Sequence, residues 1–241
     1  MALSAYITAF NELIQAPNSP TPLISSAVAT AYINTARNQI AGEGECIRVY
    51  ASLTLTPGTQ QYGFSAITFP VGTTGVQGVF NVRLANYALG NGFVYIRPRA
   101  WEWFHLYYHS TQQVAAAPEV FAQFGQGVNG TLWFNLPDAV NPYVISLDTV
   151  CYPIPLIDDS TVEAIPYPWT DAVPFYAAWL GMQQEQRQGD ADRMMQRFKD
   201  LMSRARQMSN ATVMPGNYEQ SPDPFMAGRL GLSSRQQQPG A

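Results

Sequence analysis

The sequence predicts an α+β fold in which N- and C-terminal helices pack at one end of an antiparallel β-sandwich or small barrel, followed by an extended C-terminal arm. Apolar residues recur at helical spacing before residue 45 and again after residue 157, which indicates helices at both ends. Between them, apolar and polar residues alternate and turn-forming Gly and Pro recur, which is typical of short strands. The predicted organisation is therefore N-terminal helices over 1–45, a β-rich domain over 46–156, a C-terminal helical hairpin over 157–210 and an arm over 211–241.

A short amphipathic helix is predicted over residues 4–16, with Ser4 as its cap and Pro17 after its last residue. Its apolar residues recur at helical spacing: Tyr6, Phe10, Leu13 and Ile14.

A second helix is predicted to begin with Thr21 as N-cap and Pro22 at its first position, because proline is favoured there. It runs to about Ala41, and Gly42 is expected to end it. The expected buried face comprises Leu23, Ala27, Ala31 and Tyr32.

The β-rich part begins with an alternating run that predicts a half-buried strand, whose inner face carries Ile47, Val49, Ala51, Leu53 and Leu55. Residues 118–124 are interpreted as one helical turn that interrupts the series. Six or seven short strands with this spacing favour a sandwich or small barrel. The other strand-like runs lie at about 76–84, 93–96, 100–109, 131–135 and 143–150.

The C-terminal hairpin is predicted to start near Trp169, with Thr170 as cap and Asp171 favourably placed in the first turn. Gly189 and Asp190 interrupt the pattern, and a final helix follows over 190–209. One face of that helix is apolar: Ala191, Met194, Met195, Phe198, Leu201, Met202, Ala205 and Met208.

Charged residues are scarce, at 12% of the 241 residues against the roughly 25% of an ordinary soluble domain. Part of the surface is therefore expected to be covered by partners or by copies of the chain, although a sparsely charged monomer rich in Gln, Asn, Ser and Thr is the alternative. The net charge is −4, and no basic stripe is present, which disfavours tight nucleic-acid binding. The sequence contains no run of 18 apolar residues, so no transmembrane helix is predicted.

The residues that carry metal chemistry are few. The two histidines, His105 and His109, lie in a segment interpreted as an aromatic strand, and the glutamate of an H-E-x-x-H zinc helix is missing between them. Cys46 and Cys151 lack metal-ligand spacing, and we expect both to be reduced and buried. No metal site is therefore predicted.

Two other motifs do not predict a catalytic or ligand-binding site. The segment from Gly125 to Gly130 matches G-x-G-x-x-G by letters, but a strand-like run follows it, which indicates a hairpin turn and not a dinucleotide site. Asp158 and Asp159 are interpreted as a helix-start cluster in preference to a calcium site. The sequence thus predicts no catalytic residue, no cofactor and no enzymatic activity.

The arm is where partner-binding residues are expected. Its isolated apolar side chains lie between prolines and glycines that prevent local burial, so each could enter a pocket on a partner, with Arg229 as a hydrogen-bonding anchor. A dispensable terminus is the alternative. The candidate binding residues are Phe225, Met226, Arg229, Leu230 and Leu232.

Three segments, at residues 32–45, 166–174 and 192–198, together with the order of the elements, resemble the head-to-tail adaptor (connector) proteins of short-tailed bacteriophages. The resemblance covers about residues 2–210. It implies a subunit of a dodecameric ring beneath the portal, located at the virion neck and assembled in the host cytoplasm. The implied partners are other copies of the chain, the portal protein and the tail nozzle or tail proteins, with DNA passing through the channel without specific binding and no membrane involved.

Two other functions remain open from the residues alone. A carbohydrate-binding β-sandwich module of a virion receptor-binding protein would use aromatic groups such as those around Trp101 and Trp169, although core or interface packing is the favoured interpretation of these rings. Such a module would give no functional role to the helical hairpin or to the arm. An enzyme with a dispersed site is the third class.

Overall fold

A computed structural model describes residues 1–14, 24–109, 116–135 and 143–213 of the chain. Five α-helices lie at Leu3–Leu13 (α1), Ser26–Gly44 (α2), Trp101–Phe104 (α3), Val173–Gln184 (α4) and Gln188–Val213 (α5). Seven strands lie at Arg48–Leu55 (β1), Gln61–Gly63 (β2), Val76–Leu89 (β3), Gly92–Arg99 (β4), Val120–Phe124 (β5), Thr131–Phe134 (β6) and Tyr143–Pro153 (β7).

The strands form one curled sheet in the order β1-β7-β3-β4-β5-β6-β2, in which only the β4–β5 pair is parallel. The α+β class with terminal helices is therefore confirmed, and the β part is a half-barrel in place of two stacked sheets. Apolar and polar residues alternate along β1 because only one face of the strand is buried, and that face carries Ala51, Leu53 and Leu55.

Helices and sheet share one hydrophobic core. Phe10 and Ile33 from the N-terminal helices, Leu147 from the sheet and Phe198 from α5 belong to the same buried cluster. Helix α2 packs against β7, and α4 packs against α1, α2 and α5. The helices thus lie at one end of the sheet, as predicted.

The segment 100–109 is not a strand, which corrects the sequence prediction. Residues 101–104 form α3, which continues as a π-helical turn over His105–His109. Aromatic rings favour strands on average, but here helical spacing stacks Trp103 on Tyr107, with ring centroids 4.7 Å apart. Trp101 also packs on Trp133 and Phe124 of the β5–β6 pair.

Residues 120–124 form strand β5, so the helical turn predicted over 118–124 is also wrong. The strand pairs with both β4 and β6. Just before it, Asn135 Oδ1 accepts hydrogen bonds from the backbone N–H groups of Glu119 and Val120. Pairing with two strands outweighs the local helical preference of this segment.

Ser25 caps the second helix, which ends later than predicted and is followed by Glu45 in the left-handed conformation. The predicted cap Thr21, Pro22 and the predicted buried Leu23 lie outside the described residues. The buried face of the helix is also rotated from the predicted one, and Ala27 and Ala31 are exposed. The rotation buries Ile33 and Ile40, which remove far more apolar surface from water than alanines do. The complete buried set is Ala29, Ile33, Ala36, Arg37, Ile40 and Ala41.

Caps and breaks near the other helices differ from the prediction as well. Neither Ser4 nor Thr170 caps a helix through its side chain. Gly189 and Asp190 lie inside α5, and the break between α4 and α5 contains Gln186, whose φ is 59°. The hairpin of α4 and α5 forms nonetheless, with Tyr176 packed on Phe198 at a centroid distance of 4.9 Å.

Gly44, at the end of α2, lies under the ring of Trp169. A Cβ atom at Gly44 would lie 2.5 Å from Trp169 Cζ3, whereas a Cβ at Gly42 would meet no atom within 4 Å. Because Trp169 is itself buried, we expect Gly44→Ala to lower the free energy of unfolding by about 1–3 kcal/mol. The matched Gly42→Ala should raise it by up to about 1 kcal/mol, since alanine is the better helix former. Urea unfolding midpoints measure both; equal effects of the two changes would contradict the close approach.

Candidate assembly surfaces

A buried ion pair joins one of the three segments that carry the family resemblance, residues 32–45, to Glu163 and to the end of β7. Arg37 is fully buried, and its Nη2 lies 2.8 Å from Glu163 Oε1, while its Nε donates to both Glu163 oxygens. Its Nη1 donates to Asn34 Oδ1 and to the carbonyl of Ile154. A buried ion pair with this many hydrogen-bond partners stabilises the packing of α2 against the end of β7, because the loss of any partner leaves a buried polar group unpaired.

Asn34 and Trp169 complete this helix–sheet junction. The side chain of Asn34 both donates to and accepts from the backbone of Leu156, at 3.0 and 2.8 Å. Trp169 Nε1 donates to Ser209 Oγ at 3.2 Å, and Arg206 of α5 donates to the carbonyl of Glu43. Asn34 and Arg37 of the first resemblance segment and Trp169 of the second therefore contribute to the packing of the helices against one another and against the end of the sheet.

Tyr6 lies in the same junction and is fully buried. Burial first, and then the negative charge of Glu163, raise the pKa of its phenol far above the ordinary value. Tyr6 is consequently neutral at any working pH, so it adds no charge to the buried pair of Arg37 and Glu163.

Asp158 and Asp159 form a turn, and no helix starts there. Asp158 Oδ1 accepts from the N–H and hydroxyl groups of Ser160 and Thr161. Asp159 Oδ1 accepts from the backbone N–H of Ser4 at 2.7 Å, so it caps α1 from a distant part of the sequence. These hydrogen bonds lower the pKa of both carboxyl groups. Asp159 thus serves a helix start, but that of α1, whereas Asp158 stabilises its own turn.

The face of the sheet opposite the core carries exposed apolar side chains, and we call it the outer sheet surface. Strand register places Ser52, Ser146, Asn86 and Tyr95 in one row across β1, β7, β3 and β4. Beside it, Thr54 pairs with Val144 and Ala88 with Phe93. Neither row contains a charged residue. The exposed large apolar members are Tyr50 (56%), Leu84 (43%), Phe93 (73%), Tyr95 (51%) and Val144 (57%).

At one end of this surface the β3–β4 hairpin protrudes. Its turn is Gly90–Asn91, and on either side of the turn Leu89 is 64% exposed and Phe93 is 73% exposed. Leu89 and Phe93 lie on opposite faces of the hairpin by register, yet both are exposed. The tip, residues 88–93, therefore extends beyond the packed body of the molecule.

At the other end of β3 an open cavity of about 240 Å³ lies between β3, the end of β7 and the connection from β5 to β6. That connection contains the short 3-10 helix Gly127–Asn129, and Gly125 to Gly130 is a hairpin connection, as predicted. Val128 at the rim is 96% exposed. The lining is mostly apolar and includes Phe64, Ser65, Gln77, Gly78, Val128 and Tyr152.

The predicted partner-binding residues Phe225, Met226, Arg229, Leu230 and Leu232 lie outside the described residues, as does residue 214 onward of the arm. Helix α5 includes residues 211–213, which the prediction placed in the arm. Among the residues that the structure describes, no group of three or more His, Cys, Asp or Glu could hold a metal ion, and both cysteines are free. Cys151 is buried as expected, whereas Cys46 is only partly buried by exposed area.

The sequence prediction missed the outer sheet surface, although a signal was present. The run Phe93, Val94, Tyr95 and Ile96 is apolar at every position, whereas a strand facing solvent on one side alternates. Such a run indicates a strand with both faces suited to burial. No comparable local signal identifies Arg37 and Glu163, which are 126 residues apart.

In the part of the chain that the structure describes, no helix combines the length and apolarity needed to cross a membrane. The chain matches no curated protein significantly. The family model described as SU10 adaptor protein matches residues 1–218, which includes every described helix and strand. Because that match covers most of the chain, the protein belongs to the SU10 adaptor protein family of bacteriophage adaptors.

Proposed function

We propose that this protein is the head-to-tail adaptor of its virion, and that it forms a ring beneath the portal, joins the capsid to the tail and lines the channel through which DNA leaves. As a phage adaptor it is a structural virion protein. The proposed partners are the portal on one side and the tail nozzle or tail proteins on the other. The proposed ring is dodecameric, assembles in the host cytoplasm and resides at the virion neck.

The observation that carries the proposal is the pair of uncharged exposed features at opposite ends of β3, the hairpin tip and the open cavity. A subunit of a closed ring must offer one surface to the neighbour on its left and a different surface to the neighbour on its right. The outer sheet surface adds apolar area that a monomer in water would leave exposed.

The charge balance supports a channel that does not grip DNA. The chain carries 13 basic and 17 acidic residues, for a net charge of −4. A ring built from such subunits repels phosphates overall, which favours passage of the duplex over binding.

For the C-terminal residues we propose attachment to the portal. Phe225, Met226, Leu230 and Leu232 are spaced among prolines and glycines, so an extended segment could place each side chain in a separate pocket, with Arg229 as the polar anchor. Attachment to the adjacent adaptor subunit is the second possibility for the same residues.

Complementation of incomplete particles tests the function. DNA-filled heads that contain the portal but lack this protein are incubated with the purified full-length chain and then with tail components. We expect the chain to co-sediment with the heads and the tail components to bind only after it has done so. Tail components that bind the heads equally well in its absence would refute an adaptor role.

A further inference from the structure

We propose that adjacent subunits of the ring are joined by insertion of the β3–β4 hairpin tip of one copy into the open cavity at the start of β3 of the next copy. This inference rests on the proposed function, because it names the contact through which the ring closes. The occupant of the cavity is thus a second copy of this chain, and the inserted side chain is Phe93, with Leu89 beside it.

The two features are placed as a head-to-tail contact requires. Gly78 lines the cavity, and Leu89 begins the hairpin turn at the other end of the same strand. Leu89 comes eleven positions after Gly78, which corresponds to roughly 35 Å of extended strand. A subunit can therefore insert its tip into one neighbour while its cavity accepts the tip of the other.

The sizes match. A cavity of about 150 Å³ with an apolar lining is large enough to hold benzene. The cavity here is about 240 Å³, so it has room for the phenyl ring of Phe93 and part of a second side chain. Phe64 and Tyr152 in its lining offer aromatic surfaces to an incoming ring.

The outer sheet surface provides the area around this contact. Tyr50, Phe93 and Tyr95 are 56%, 73% and 51% exposed, and at about 200 Å² for a whole aromatic side chain they offer roughly 350 Å². A standard interface buries about 800 Å² on each partner, so these rings supply a substantial share of one. The absence of charge in the two rows nearest the tip removes the desolvation cost that charged groups would add.

Cross-linking between different positions tests the pairing directly. Asn91→Cys, in the turn of the hairpin tip, and Val128→Cys are introduced singly and together into the full-length chain, so that Phe93 stays in place, and each protein is treated with a short bis-maleimide under conditions that give rings. Burial raises the pKa of the native Cys46 thiol to about 12 and also raises that of Cys151, so both native thiols react slowly near neutral pH. The unmodified chain is the control for their background.

The expected result is a ladder of covalent oligomers from the double variant, dimers when the two single variants are mixed, and no cross-link within either single variant alone. Cross-linking of Asn91→Cys to itself would overturn the proposal in favour of a two-fold contact. A ring that forms without any 91–128 cross-link would also overturn it, because the two positions would then be far apart.

A second pair of variants tests the energetics without cysteines. Phe93→Glu removes the aromatic ring from a side chain that is already exposed, so the fold should survive, and we expect at least a tenfold loss of affinity at each contact. Ile157→Glu is the control, because Ile157 is 78% exposed but lies outside the tip, the cavity and the outer sheet surface. Equal effects of the two changes would contradict the assignment, whereas a wild-type chain that forms no ring at all would instead contradict the proposed function.

Discussion

Replacing Arg37 by methionine is expected to destabilise the protein strongly, and by more than Gly44→Ala does. The substitution leaves the Glu163 carboxylate, whose side chain is 6% exposed, without its cation, and it removes the bonds to Asn34 and Ile154. Breaking a buried pair on one side costs about 3–5 kcal/mol. At about 2–4 °C per kcal/mol for a domain of this size, the thermal midpoint should fall by roughly 6–20 °C.

Two further variants show whether the unpaired carboxylate of Glu163 causes the loss of stability. Adding Glu163→Gln to Arg37→Met should recover part of the loss, since the buried carboxylate is then neutral. Arg83→Ala removes an exposed arginine that pairs with Glu45, and exposed pairs contribute about 1 kcal/mol or less. A thermal midpoint for Arg37→Met no lower than that for Arg83→Ala would contradict the role of the junction.

Removal of residues 215–241 is expected to have the largest effect on function. The last helix of the described residues, α5, ends at Val213, so the deletion removes none of the described helices or strands, and unfolding of the truncated chain should resemble that of the full chain. The deletion removes four apolar side chains that could each contribute about 1.5–3 kcal/mol by burial. Their sum, about 6–12 kcal/mol, exceeds the roughly 2–5 kcal/mol that ordering such a segment costs, and the midpoints of the two ranges leave about 5 kcal/mol, so affinity for heads should fall about a hundredfold or more.

A shorter deletion separates the apolar residues from chain length. Removing residues 234–241 leaves Phe225, Met226, Leu230 and Leu232 in place and should preserve attachment. Co-sedimentation with portal-containing heads measures both truncations. Attachment by the chain lacking 215–241 that equals that of the full chain would show that these residues have no such role.

Local patterns predicted the elements whose neighbours along the chain decide their structure. The alternation from Ile47 to Leu55 predicted β1, and the helical spacing of Ala191 to Ala205 predicted the buried face of α5, because each pattern reports directly on one buried face. The resemblance segments 32–45, 166–174 and 192–198 then led to the adaptor family, which the match over residues 1–218 confirms.

Contacts between distant residues decided the elements that the sequence prediction missed. Residues 120–124 become a strand because β4 and β6 flank them, and α1 receives its cap from Asp159, 155 residues from Ser4. The buried face of α2 also contains Arg37, whose burial requires Glu163, a residue that follows the last strand and lies 126 residues away in the sequence. Such pairings have no local signature, so a single sequence cannot supply them.

The candidate assembly surfaces fall between these two cases. The continuous apolar run at 93–96 predicts a strand with both faces suited to burial, but only the register shows that Phe93 and Tyr95 share the outer face with Val144 and Tyr50. The cavity requires Gly78 and Tyr152 to meet the connection at Gly127, which no pattern in the sequence indicates.

Single-particle imaging of the purified chain, alone and mixed with its portal protein, tests the central claim most directly. We predict a closed ring of identical subunits, coaxial with the portal and open along the axis, at least when the portal is present. A chain that remains monomeric in both samples, or that binds the portal as isolated subunits without closing a ring, would contradict it.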